Sequence, residues 1–202
     1  MKKKIVALCL CIALAVVAIG GATLAYFTDK TETVTNTFTV GKVDIDLWET
    51  EDGTPNGTVT RTGRTDIKVA PGTDIDKNPT VKVVANSEDC WLFVKMTVAN
   101  WPTANVTYST ENGWSTLSTE NGVTILYREV SKNEADQTFG ILTNNKITVS
   151  PQLVSSAFVT DNDGNMQQPS MAFQAFAIQK DNLTTAQAAW NAVQEAYTPV
   201  NP

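Results

Sequence analysis

The chain has 202 residues, 15 basic against 21 acidic, a formal charge of −6, and no histidine. The missing histidine excludes Ser-His-Asp and Cys-His nucleophiles, the HExxH helix of zinc peptidases and every His-based zinc site. The acidic balance opposes nucleic acid or anionic lipid headgroups as partners.

Lys2, Lys3 and Lys4 form a basic start, and Ile5 to Gly21 are apolar or small without a charge. Thr23-Leu24-Ala25 then sets small residues at the two positions a signal peptidase reads, so residues 1–25 are expected to be a signal peptide cleaved between Ala25 and Tyr26. The apolar run of 17 residues is at the short edge of what spans a bilayer, so a retained anchor is the alternative. With cleavage, the membrane is met only through the signal peptide. The removed part holds three Lys and no acid, which leaves 177 residues with 12 basic and 21 acidic side chains, a charge of −9. That balance favours solubility outside the cell. Cys9 and Cys11 lie in the apolar segment, so Cys90 is the single cysteine of the mature chain and no intrachain disulfide forms. In "EDCWLFVKM" it reads as a small buried hydrophobe, with a reactive thiol as the alternative.

Residues 26–38 read as an extended N-terminal arm. In "TETVTNTFTV" Thr31, Thr33, Thr35, Thr37 and Thr39 alternate with Val34, Phe38 and Val40. Such a stretch can add to an open sheet edge through main-chain hydrogen bonds, with alternate side chains in pockets. Thr31, Thr33, Val34, Thr35 and Phe38 are the candidate assembly-strand residues. The alternative is that residues 31–40 pair within their own subunit, and the strand from Phe38 onward is expected in the home domain.

From residue 39 to 202 the chain reads as one domain with a period of two. "KVDIDLW" sets Val43, Ile45 and Leu47 on one face and Asp44 and Asp46 on the other. "TEDGTPNGT" is a turn cluster. "TDIKVAPG" is a short strand candidate ending at Pro71-Gly72, with Asp74 and Asp76 in the loop beyond it. "PTVKVVAN" and "CWLFVKMTVANW" follow, the second apolar enough for a central strand covered on both faces. "NVTYST", "VTILYREV", "NKITVS" and "MAFQAFAIQ" are further strands, and "ENG" at 111–113 and 120–122 marks two turns. Residues 155–170 read as the most mobile loop. "LTTAQAAWNAVQEAY" breaks the pattern: Ala186, Ala189, Trp190, Val193 and Tyr197 recur at helical spacing, capped by Thr184 or Thr185. Many short strands and one helix predict an all-β, jelly-roll-like β-sandwich with one short C-terminal amphipathic helix.

Little in this chain reads as chemistry. Asp44 with Asp46, and Asp74 with Asp76, could hold a metal or act as paired acids, but a solvated strand face and a polar loop account for them. "DNDGNMQQ" begins like a calcium loop. It fails the EF-hand pattern because Met166 stands where Gly is required and Ala172 where the bidentate Glu belongs, so it reads as an Asp-Gly loop tip. Trp91 and Trp190 read as core, whereas Trp101 and Trp114 lie near turns and could form a sugar platform. No catalytic residue, metal ligand or cofactor is assigned, and the chain is not expected to be an enzyme.

Four stretches carry a family resemblance. "GGATLAYFTD" with "NTFTVGKVDIDLWE", then "APGTDIDKNPTVKVVANSEDCWLFVKM", and "MAFQAFAIQKDNLTTAQAAWNAV" resemble the TasA/camelysin family of exported Gram-positive proteins. Residues 100–170 carry no such motif. The resemblance implies processing by a SipW-type signal peptidase and a jelly-roll domain that polymerises into extracellular biofilm-matrix fibres. It further implies donor-strand exchange, in which the mature N-terminus fills a gap in the next subunit's sheet. Partners would then be the protein itself and related matrix proteins. Some members are labelled metallopeptidases, a label that finds no histidine to stand on here. The rival function is a monomeric surface module that binds a matrix polysaccharide or protein.

Overall fold

The structure, a computed structural model, describes residues 42–63 and 67–197. Eleven strands are described: β1 (Ile45–Thr50), β2 (Val59–Thr60), β3 (Asp74–Asp76), β4 (Thr80–Val83), β5 (Cys90–Ala99), β6 (Val106–Thr107), β7 (Ser115–Glu120), β8 (Val123–Val130), β9 (Gln137–Gly140), β10 (Lys146–Val149) and β11 (Ser170–Gln179). One helix, α1 (Ala186–Tyr197), closes the described chain. The strands form three antiparallel sheets, ordered β2-β1-β4-β9, β3-β10-β6 and β11-β5-β8-β7. The chain passes repeatedly between the large sheet and the two smaller ones, which is the all-β sandwich the alternation predicts.

β5 explains the layering. Its even-numbered side chains Cys90, Leu92, Val94 and Met96 face Val81, Val83, Ile75, Ile147 and Val149 of the smaller sheets, all buried. Its odd-numbered Trp91 and Phe93 point the other way, into Ala186, Ala189, Trp190 and Val193 of α1. A strand buried on both faces needs a continuous apolar run, which is what "CWLFV" supplies. β1 is the half-buried counterpart. Val43, Ile45 and Leu47 pack on the core, while Asp44 pairs with Lys42 and Asp46 with Arg61.

The turns follow from local chemistry. Asn121 and Gly122, at φ 49° and 77°, join β7 to β8 as the left-handed pair a two-residue hairpin requires. A Cβ at Gly122 would lie 2.4 Å from the Val98 carbonyl oxygen, so close approach as well as φ demands glycine. Of the two candidate caps for α1, Thr185 serves: its Oγ1 accepts from the Ala188 N–H at 3.2 Å. Trp190 sits 5.2 Å from the Phe93 ring and 5.6 Å from Phe176, centroid to centroid, and so anchors the helix.

Several expectations fail locally. Ile67 to Ala70 form no strand, although Ile67 and Val69 pack on the core. The chain turns at Ala70–Thr73, where the Thr73 N–H donates to the Ala70 carbonyl at 3.3 Å. Only then does a strand begin, so Asp74 and Asp76 belong to β3 rather than to a loop. Val59–Thr60, Ser115–Glu120 and Gln137–Gly140 pair as strands without an apolar alternation to announce them. "NVTYST" contributes only Val106–Thr107.

Candidate functional site

An edge of the large sheet is the outstanding feature. Among the described residues β11 pairs on one side only, with β5, along all ten of its residues. Its sequence, "SMAFQAFAIQ", has no charge, no proline and no bulge. Proteins blunt exposed edges with charges, prolines, bulges or short length. The opposite edge of this sheet follows that rule: β7 is polar and breaks register between Thr116 and Ser118. β2, β3 and β6 are two or three residues long. β11 alone among the described edges combines length with apolar alternation.

Beside β11 the sandwich stays open. A cavity of about 730 Å³ is lined by Ile75, Trp101, Ile147, Phe158, Met166 and Met171, among others. A smaller one of about 250 Å³ is lined by Leu47, Trp48, Glu49, Arg61, Met171 and Phe173, among others. Lys77 and Met171 line both, so the two cavities adjoin and form one groove along the Ser170–Phe173 end of β11.

An ion pair sits where they meet. Lys77 Nζ donates to both carboxylate oxygens of Glu49, at 3.0 and 2.7 Å, and each side chain is only 7% exposed. Lys77 is itself held in place. The Lys77 N–H donates to the Asn145 carbonyl at 2.8 Å, and its ammonium stands 5.6 Å from the centre of the Phe173 ring. Glu49 continues the inward series Val43, Ile45, Leu47, where a charge breaks an otherwise apolar face. That break is the sequence signal for this feature.

The other candidates are ordinary structure. Asp46 accepts from Arg61 at 2.8 and 2.7 Å, a bond that holds its carboxyl below the usual range. Asp74 is lowered in the same direction by Thr148 and Lys146. Asp161 caps the loop tip: its carboxylate accepts from the N–H groups of Asn165 and Asp163, lowering its pKa. A bridge between Thr160 and Met166 closes that tip. Trp101 and Trp114 are half-buried, and their indole N–H groups donate to the carbonyls of Ser170 and Gly140 at 2.6 and 2.7 Å. Each ring is thus tied to the backbone through its indole N–H. Cys90 is buried, and burial pushes its thiol up to about 11. The cleavage site Ala25–Tyr26 and the arm residues Thr31, Thr33, Val34, Thr35 and Phe38 lie outside the described residues.

Residues 1–54 match the model of the camelysin metallo-endopeptidase family. The resemblance to the TasA/camelysin family drawn from the sequence agrees with this match, whose last part covers β1 and the start of the turn after it. No curated protein and no solved structure matches the chain. The camelysin name implies a catalytic metal, and this chain does not fit one. It has no histidine, Cys90 is buried in the core, and Asp44, Asp46 and Asp74 are each engaged by a cation. Among the described residues no group of three or more His, Cys, Asp or Glu could hold a metal, and no helix is long and apolar enough to cross a membrane.

Proposed function

We propose that this camelysin-like chain is a secreted structural protein that polymerises into extracellular biofilm-matrix fibres, without enzymatic activity. The mature N-terminal arm of one copy adds as a strand to β11 of the next. The observation that carries the reading is the ten-residue uncharged edge of β11, beside whose Ser170–Phe173 end lies an open groove of mixed apolar and polar lining. An added strand would pair the ladder groups of that edge and bury apolar side chains in the groove. Val34 and Phe38 are the arm residues expected there, each worth about 1.5–3 kcal/mol if fully buried. Repetition of a head-to-tail contact that does not close produces a fibre. Removal of the signal peptide would free the arm, so processing licenses assembly.

The test compares the mature chain with one lacking residues 26–36, by electron microscopy and sedimentation. The truncated chain should be a folded monomer that does not elongate and that binds a peptide of the deleted stretch. Fibres from the truncated chain, or unfolding that the peptide does not rescue, would sink the exchange reading. The cavity lined by Trp48 and Arg61 favours a second reading, a monomeric module for matrix polysaccharide. Retention of a non-assembling mature chain on a polysaccharide column would support it. Casein cleavage that is sensitive to chelator and tracks the purified protein would restore the peptidase.

A further inference from the structure

The floor of the groove is not uniform, and neither is the arm. Along β11 the smaller cavity lies at Met171–Phe173 and the larger at Ser170–Met171, with Glu49 lining the smaller and Lys77 lining both. In the arm, the face that carries Val34 and Phe38 also carries Asn36 between them. An arm face with one polar residue between two apolar ones thus meets a groove of mixed lining whose buried ion pair borders both cavities. Resting on the strand-addition reading above, we infer that Asn36 of a second copy bonds the buried Glu49–Lys77 pair and so fixes the register of the incoming strand. Val34 then enters the smaller cavity and Phe38 the larger one.

The chemistry of the pair suits an amide. Lys77 Nζ has three protons, and the Glu49 carboxylate takes two bonds, which leaves one donor for a ligand. A carboxylate also retains acceptor sites. Asn36 offers one carbonyl oxygen and one NH₂ group, one for each partner. A valine at this position would cover the pair without bonding it. A carboxylate there would compete with Glu49 for the ammonium. Here the buried charges are already present, so an amide that bonds them sets register and also avoids covering them unbonded.

Size sets the direction. Phe38 in the larger cavity lies near Ser170, and Val34 lies near Phe173, so the arm runs antiparallel to β11. That direction also requires a second copy. Lys42 of the same chain sits at the other end of β11, since its carbonyl accepts from the Glu88 N–H at 3.1 Å and nearby Cys90 pairs with Gln179. From Ser170 to Gln179 a strand runs about 30 Å. Four residues from Lys42 back to Phe38 reach at most about 14 Å. A chain's own arm therefore cannot bring Phe38 to the larger cavity in this register.

The experiment uses the full mature chain. Asn36→Val should lower the extent of fibre formation at fixed concentration by about ten- to a hundredfold, the equivalent of one hydrogen bond to a charged group. The monomer's circular dichroism should be unchanged. In a second arm, Asn36→Cys with Met171→Cys should yield a ladder of disulfide-linked multimers on air oxidation, while Asn36→Cys with Ala177→Cys should not. The buried native Cys90 stays silent in this assay. Three results would overturn the register: unchanged assembly by Asn36→Val, absence of the 36–171 ladder, or an intrachain 36–177 disulfide. With any of these, loss of fibres on deleting residues 26–36 would leave the strand-addition reading standing. Fibres that survive that deletion would remove the reading itself.

Discussion

Lys77→Met isolates the Glu49 carboxylate in the position where the structure gives it a single cationic partner. Both side chains are 7% exposed and bonded at 2.7 and 3.0 Å, so neither is a surface pair worth a few tenths of a kcal/mol. Removing one partner of a buried pair leaves an uncompensated charge and costs roughly 3–5 kcal/mol. Replacing both is a different perturbation. Glu49→Leu with Lys77→Met keeps the volume and removes two desolvated charges, and such swaps range from neutral to stabilising by about 1–4 kcal/mol. Phe173, now below the Lys77 ammonium, would pack on the methionine thioether instead. Urea unfolding followed by far-ultraviolet circular dichroism reads the difference. With a slope of roughly 1–3 kcal/mol per molar urea, the single variant should lose about 1–5 M in midpoint, and the double variant should match or exceed the parent. A single variant within about 0.3 M of the parent, below anything this range predicts, would show the carboxylate to be solvated. A double variant as unstable as the single one would place the cost in packing rather than charge. If the double variant is as stable as the parent, the pair is retained for something other than stability, as its place in the groove requires.

Trp190→Ala removes the ring that α1 sets against Phe93 and Phe176 and should cost roughly 3–5 kcal/mol; an unchanged denaturation midpoint would refute the docking. Cys90, with its thiol pushed up to about 11 and no exposure, should resist iodoacetamide at pH 8 in the folded protein and react once urea unfolds it; modification of the folded chain would mean that the β5 end opens.

How much of this was legible in the sequence depended on whether the signal was local. β1, β4, β5, β8, β10 and β11 each carry an apolar alternation or run, and each appears where that pattern places it. α1 likewise follows from its 3.6-residue period, and Thr185 from capping chemistry. β7 and β9 carry no such signal. "STLSTE" and "QTFG" are strands because β8 and β4 offer them ladder partners, and partners far along the chain are not written in a short window. The turn at Ala70–Thr73 moved the strand from residues 67–70 to Asp74–Asp76 for the same reason: β10 pairs the later stretch.

The sequence by itself determined the chemistry that is missing. A chain without histidine lacks the ligands of a His-based zinc site, whatever its fold. It also determined the alternation of the arm and of β11, since strand periodicity is a property of neighbouring residues. Tertiary structure decided where β11 lies. β5 covers one side of β11 and no described strand covers the other. Glu49 and Lys77, 28 residues apart, become a buried pair beside that edge. Edge or centre, and exposed or paired charge, are relations between distant segments, and only the closed sandwich sets them.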